Sequence, residues 1–587
     1  MAAGHGQPLD HLDVWTSALL SKSSAGRGSN GKLEAYGIKK LRELILELAV
    51  RGKLVAQDPN DEPASVLLEK IAKEKARLIK AGKIKQEKPL ADLDAMPHEL
   101  PANWKWARLP SIASYMPGKT PSTKNPSYWS DNPADVPWVS ISDMEHFGVL
   151  TETSKRVTTE AAENVFGYEP IPKGSLLMSF KLTVGKMAIL GVDAYHNEAI
   201  LSIQPYSGIA RDYLFKVLPA RAQAGNTKRA IMGDTLNATS LSLLLVPIPP
   251  LAEQHRIVAK VDELMALCDQ LEQQQADSLA AHHTLVETLL GTLTRIESQH
   301  EFSAAWARIA SHFDTLFTTE ASIDQLKQTI LQLAVMGKLV PQDPNDEPAS
   351  VFIERIGKEK ARLIDEGKIK KDKPLSESVN QVAFELPEGW RWVRFEDVVN
   401  ITSGVTLGRK VSGKRLVTVP YLRVANVQRG DLDLYEVKDI DLTEDELDKY
   451  LVMARDLLIT EGGDWDKVGR TAIWREELPL IAHQNHVFKA RCLLEEQNEV
   501  WLERYLNCEI ARGYFAGSSK QTTNLASINK TQLRGCPVAM PPLREQHRIV
   551  AKVDELMALC DALKARLADA QTTQLHLADA IVEQAVC

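Results

Sequence analysis

The segment EQHRIVAKVDELMALCD occupies residues 253–269, and the same seventeen residues recur at 545–561, 292 positions later. One core has little use for the same helix twice, so the repeat asks for two cores. A second pair of copies fixes the architecture. Residues 41–90 begin LRELILELAVRGKLVAQDPNDEPASV and residues 326–375 begin LKQTILQLAVMGKLVPQDPNDEPASV; 36 of these 50 positions are identical at an offset of 285. A shorter marker follows each copy, ELPANWKWARL at 99–109 and ELPEGWRWVRF at 385–395. The chain is therefore a tandem duplication in which near-identical blocks flank two dissimilar ones.

The dissimilar blocks span 104–250 and 390–542, and faint echoes survive inside them. PWVSISDM at 137–144 matches PYLRVANV at 420–427, LLMSFKLTVGKMAI at 176–189 matches LLITEGGDWDKVGRTAI at 457–473, and HNEAI at 196–200 matches QNHVF at 484–488. The last alignment puts Asn197 opposite Asn485, which suggests a shared structural hydrogen bond. Short β-prone runs broken by Gly and Pro predict a small mixed α/β domain in each block.

The repeated blocks, 36–103 and 299–389, read as helical. Apolar residues recur at helical spacing from Ile38 to Arg51, with Gly52 as the stop. Asp61-Glu62-Pro63 opens a second helix and Gly82 ends it. Its Lys-rich run is interleaved with Glu, which favours a solvated face over nucleic-acid contact. Residues 1–35 read as a flexible tail, with GHG at 4–6 and GRG at 26–28 outside any strand-turn-helix context.

Two rods follow the dissimilar blocks, at 251–298 and 543–587. Neither Gly nor Pro occurs from Leu251 to Leu290 or from Leu543 to Cys587. The second rod repeats apolar positions at alternating steps of four and three: Ile549, Val553, Leu556, Cys560, Leu563, Leu567, Ala570, Gln574, Leu577 and Ile581. That spacing predicts a coiled-coil seam. Two seams in one chain favour antiparallel packing on each other over pairing with a second chain, because local concentration is high. Cys268 and Cys560 fall on the seam as small core residues.

Bulk properties agree with a multidomain binder. A chain of 587 residues implies about three to four domains. Its net charge of −8 offers no global basic field, so any DNA contact must come from local clusters. None of the six cysteines forms a C-x-x-C pair and no apolar run reaches 18 residues, so a cytoplasmic protein without membrane contact is expected. The chemistry expected of an enzyme is absent. PGKT at 117–120 lacks the first glycine of a phosphate loop, HQNH at 483–486 lacks further ligands, and EVK at 436–438 lacks the acidic context of a nuclease. No Asp/Asn-Pro-Pro-aromatic segment of the adenine-methylase kind is present.

The layout and several segments resemble the specificity subunit of Type I restriction–modification systems. The segments are HLDVWTSALLSKSSAGRGSNGKLEAYGIKKLRELILELAVRGKLV at 11–55, IPPLAEQHRIVAKVDEL at 248–264, MPPLREQHRIVAKVDEL at 540–556, and EGGDWDKVGR with HQNHVFKAR in the second dissimilar block. The resemblance spans essentially the whole chain. It implies two small α/β target recognition domains joined by two long helices in an antiparallel coiled coil, with pseudo-two-fold internal symmetry. It further implies that each domain reads one half of a split, asymmetric double-stranded DNA site. Two modification subunits, carrying S-adenosylmethionine and methylating adenine, would dock on the repeated blocks. Restriction subunits with ATP- and Mg-dependent translocase and nuclease activity would join them. The chain itself would hold no cofactor or metal and catalyse nothing.

The dissimilar blocks are nearly neutral: 14 Lys/Arg against 12 Asp/Glu in the first, 21 against 22 in the second. Turn-rich loops with hydroxyls and cations are the expected DNA-contacting sites. In the first block these are Lys119, Thr120, Ser122, Thr123 and Lys124, then Lys181, Thr183 and Lys186, then Lys228 and Arg229. In the second they are Thr406, Arg409, Lys410, Lys414 and Arg415, then Asp464, Lys467 and Arg470, then Lys520, Gln521 and Asn524; Arg423 suits either DNA contact or a structural bond. Arg and Gln suit guanine and adenine edges, and Asp suits cytosine. Two rival classes stay open at this level: a coiled-coil scaffold with two protein-binding heads, and a self-sufficient methylase-nuclease.

Overall fold

The computed structural model describes residues 9–21, 33–82, 96–223, 228–230, 233–236, 238–375, 384–408, 415–463, 467–518, 520–522 and 525–586. They divide into two compact units, Met1–Ser278 with Ala570–Cys587, and Leu279–Asp569. Each unit holds one reader, as the dissimilar blocks are called below, and parts of both rods.

The rods are continuous helices, Leu251–Arg295 and Leu543–Val586. At 1.5 Å per residue each is roughly 66 Å long. In the first unit, Ile257, Val261, Leu264 and Cys268 at the base of the first rod share a core with Ala578, Ile581 and Val582 near the end of the second. In the second unit, Val286, Leu290 and Leu293 near the end of the first rod share a core with Ile549, Val553 and Cys560 at the base of the second. The order of pairing is antiparallel, as expected. Burial also holds the seam cysteines unreactive, with the Cys268 thiol pushed up to about 11.

The buried stripe departs from the predicted heptad in the far half of the rod. It runs through Ile549, Val553, Leu556, Cys560, Leu563 and Leu567, then Gln571, Gln574, Ala578, Ile581 with Val582, and Ala585, so the expected Gln574 and Ile581 keep their places. The first rod repeats these steps from Ile257 to Leu293 at the same offset of 292. Ten steps cover 36 residues, which is the 3.6-residue period of a straight α-helix rather than the 3.5 of a supercoil. Ala570 and Leu577 therefore rotate off the stripe, and Leu577 is 44% exposed while Ala578 is fully buried.

Short helices of the repeated blocks bridge the rods. Arg42 of helix Tyr36–Arg51 pairs with Asp269 and Glu272 of the first rod, both at 2.7 Å. Tyr36 donates to Asp579 of the second rod at 2.8 Å, and Lys40 lies 3.3 Å from the same carboxylate. In the second unit, Lys327 of helix Glu320–Val335 pairs with Asp561, and Asp324 with Lys564 at 3.1 Å. Helix Tyr36–Arg51 stops at Gly52 (φ +68°), where a side chain would strike Pro101 and Trp104. The expected tail departs from prediction at residues 12–17: they form a helix whose Trp15 is fully buried against the block.

The repeated EQHR motif seats each rod. Glu253, 1% exposed, accepts from the Trp104 indole at 3.0 Å and from Gln57 at 2.6 Å. Glu545 accepts from Trp390 at 2.9 Å and Gln342 at 3.0 Å. Gln254 and Gln546 each donate to the first proline carbonyl before the rod, at 3.1 and 2.9 Å. Arg256 pairs with Asp61 at 2.6 Å and Arg548 with Asp346 at 2.7 Å. Each seat also closes a reader. The first reader's end strands pair antiparallel, Lys105–Arg108 with Leu245–Ile248, and the second's likewise, Arg391–Arg394 with Pro537–Met540. A reader thus leaves and rejoins its block at one place.

Two predictions follow from this packing. Ala578→Asp puts an unpaired charge in a core and costs about 3–5 kcal/mol, whereas Leu577→Ala stays within about 0.5 kcal/mol; urea melts of the two variants check the 3.6-residue stripe. Burial raises the pKa of Glu253 and Glu545 above the usual 4.5, against the opposing indole and amide bonds. A carboxyl raised in the folded state contributes stability below its unfolded value and loses it as pH rises through the folded value. The stability of the wild type relative to Glu253→Gln/Glu545→Gln should fall as pH rises from about 4.5 toward neutrality. A pH-independent difference would contradict the buried carboxyl seat.

Candidate nucleic-acid interface

Both readers are built on one topology. In the first, a five-stranded sheet runs Ala113–Pro117, Ile200–Pro205, Leu176–Ser179, Met187–Leu190, Gly148–Leu150. In the second, a four-stranded sheet runs Val399–Ser403, Val487–Cys492, Leu457–Thr460, Thr471–Ile473 in matching order. Beside each lies a smaller sheet in which one short strand pairs parallel: Tyr195–His196 with Val136–Val139, and Ala482–His483 with Leu416–Leu422. A three-stranded sheet completes each: Lys181–Leu182, Gly233–Thr235, Lys228–Ala230 in one, Gly462–Gly463, Leu525–Ser527, Lys520–Thr522 in the other.

The strand register corrects one alignment made from sequence. Ser179 faces Ile200, and Thr460 faces Val487, so Ile200 corresponds to Val487. His196 then matches His483, and Asn485 matches Glu198 rather than Asn197. The Asn197 side chain does make a local bond, accepting from Ala199 N at 3.0 Å. The shared element is the histidine.

In the first reader the loop after Pro117 is held at several points. Lys119 N donates to His196 O at 2.9 Å. Trp138 donates to Lys119 O at 3.0 Å and Trp129 to Ser122 O at 3.2 Å. The Lys119 ammonium is spent internally, donating to the carbonyls of Val165 at 2.7 Å and Phe166 at 3.0 Å. Thr120 donates to Glu198. Ser122, Thr123 and Lys124 are exposed at the tip of this pinned loop. Preorganised loops of this kind bind with little ordering cost.

The remaining positions differ in how free they are. Lys181 lies over the Phe180 ring at 5.3 Å, Thr183 is exposed, and Lys186 donates to Ile141 O at 3.2 Å. Lys228 and Arg229 fall in strand Lys228–Ala230. In the second reader Thr406 is exposed, and the Arg415 side chain is 83% exposed with Glu444 3.3 Å away. Arg423 donates to Glu436 O at 2.9 Å. Arg470 donates to Gln428 at 2.6 Å, and Lys467 is exposed. Lys520 and Gln521 lie in strand Lys520–Thr522. Arg409, Lys410, Lys414, Asp464 and Asn524 fall outside the described residues.

One slot shows how the readers diverge on a common frame. Asp456, fully buried, takes a two-point ion pair from Arg491 with both contacts at 2.6 Å. The first reader fills the matching slot with a neutral bond from Gln204 to Ser175. Beside the ion pair, burial pushes the Lys489 ammonium down to about 8, and its protons go to the Leu451 and Lys449 carbonyls at 2.7 and 3.1 Å. The HQNH histidines are used separately: His483 is buried, and His486 pairs with Glu461 at 2.6 Å. Among the described residues no cluster of His, Cys, Asp and Glu could hold a metal ion, and no helix is long and apolar enough to cross a membrane.

Comparison with known proteins agrees with this layout. The family model for the Type I restriction modification DNA specificity domain matches twice, at residues 101–281 and 387–570, once over each reader and much of its rod. The chain is 41% identical to the specificity subunit of the Type I restriction enzyme EcoAI of Escherichia coli, over 98% of this chain and 99% of that one. It is 39% identical to the EcoEI specificity subunit of the same species, over 98% of both. A crystal structure of the HsdS subunit from Thermoanaerobacter tengcongensis is similar at 19% identity, covering 84% of this chain and 99% of that one, with a TM-score of 0.41. A duplicated reader, matched twice by one family model and aligned end to end with two relatives, makes the chain a member of the Type I restriction–modification specificity-subunit family, the non-catalytic subunits that determine the DNA target site.

Proposed function

We propose that the two readers address the two halves of a split, asymmetric site on one DNA duplex. The carrying observation is a single reader topology repeated on near-identical seats with different chemistry in matching slots. Half-sites read from one face of B-DNA lie about one helical turn apart, roughly 34 Å. Each rod is one unbroken helix of roughly 66 Å, stiffer than a Gly/Ser-type linker. Ser122, Thr123, Lys124 and Thr183 in the first reader, and Thr406, Arg415 and Lys467 in the second, are exposed and suit phosphate and base-edge contacts.

Two copies of one modification subunit dock on the repeated blocks, since like surfaces suit like partners, and restriction subunits join the assembly. S-adenosylmethionine, ATP and Mg belong to those subunits, which act on DNA in the cytoplasm. The target adenine must leave the base stack to be methylated, so the readers hold the duplex while the partners act.

Exchanging residues 104–250 for another reader tests this. With the modification partner present, the methylated site should change in one half and keep the other half and the spacer. A change in both halves, or in neither, would sink the modular reading.

A further inference from the structure

His196 and His483 occupy one place in the two readers, each at the end of the short parallel strand. Both are fully buried. In each, Nδ1 meets a carbonyl, Asn197 O at 3.2 Å and Val487 O at 2.7 Å. A carbonyl only accepts, so Nδ1 carries the proton and Nε2 is left as an acceptor. Neither Nε2 has a partner among the described residues. Burial holds the rings neutral, pushing His196 down to about 4 and His483 to about 3.

A glycine lies against each histidine. A Cβ on Gly118 would fall 1.9 Å from His196 O and 2.4 Å from its Nδ1; one on Gly404 would fall 2.2 Å from His483 O. No side chain fits such an approach. The next residue then bonds to the histidine carbonyl, Lys119 N at 2.9 Å in one reader and Val405 N at 2.8 Å in the other. From there the chain enters the loops that carry Ser122–Lys124 and Thr406.

We propose that Gly118–His196 and Gly404–His483 are duplicated positioning pairs, each setting the path of one DNA-facing loop and hence recognition of one half-site. This rests on the two-reader function proposed above. The histidines touch no DNA. They act through the loop backbone: each glycine packs against the histidine's own carbonyl, and in the first reader against the His196 ring as well, while the ring's Nδ1 bond holds the histidine's turn in place. The duplication predicts effects confined to one half of the site.

The test uses the full chain with its modification partner and a set of duplexes carrying base substitutions in each half-site. Gly118→Ala should cut discrimination in one half by about tenfold or more, the scale of one lost base contact, and leave the other half unchanged. Gly404→Ala should do the reverse. His196→Asn, which keeps a donor for the Asn197 carbonyl, should restore discrimination that His196→Phe removes; this pair decides the matter if an alanine variant fails to fold. Unchanged discrimination in Gly118→Ala and His196→Phe, or equal loss in both halves, would overturn the positioning role. A wild-type complex without sequence preference would instead overturn the two-reader function.

Discussion

A buried carboxylate holds each half of this molecule together. Glu253 and Glu545 stand at the first turns of the two rods, each accepting one indole and one amide proton. The three partners come from different places. The tryptophan immediately precedes the first strand of a reader, the glutamine lies in the repeated block, and the glutamate opens the rod just after the reader's last strand. One cluster therefore fixes where a reader starts, where it ends, where its rod points and which block it sits on. A buried carboxyl is costly unless it is hydrogen-bonded, and both halves offset part of that cost with the same two bonds. The reader's interior adds to the seat: Ala210 N donates to Gln254 at 2.8 Å and Lys216 pairs with Asp262 at 2.7 Å in one half, and Arg504 pairs with Asp554 at 3.0 Å in the other.

The readers differ inside this shared frame. The strand order is common to both, while the slot holding Asp456 and Arg491 in one holds Ser175 and Gln204 in the other. A charged pair and a neutral pair satisfy the same geometric need. In the first reader the loop after Pro117 is pinned at its base by a backbone bond and two indoles, and in the second Val405 N donates to His483 O at 2.8 Å in the matching place.

The duplication, the rods and their antiparallel pairing were legible in the sequence because identity at a fixed offset and helical periodicity are one-dimensional signals. The far half of the rod was not. A strict heptad and a 3.6-residue stripe agree over the first five steps and separate only beyond Leu567, where Gln571 and Gln574 weaken the apolar pattern. The register of HNEAI against QNHVF slipped by one residue because adjacent asparagines outscore a buried histidine in a string comparison; only strand pairing distinguishes them. The two carbonyls that Lys119 reaches, Val165 O and Phe166 O, lie far along the chain, so sequence alone does not reveal them. Trp15 looked like tail because six helical residues carry too little pattern to announce a buried tryptophan.

The most direct measurement of the central claim, two unlike readers each addressing one half of a split site, is the map of methylated adenines in DNA from cells carrying this chain and its partner subunits. The account predicts one motif with two specified halves of unlike sequence, separated by an unspecified run of a single constant length. A continuous motif, or halves separated by runs of varying length, would contradict it.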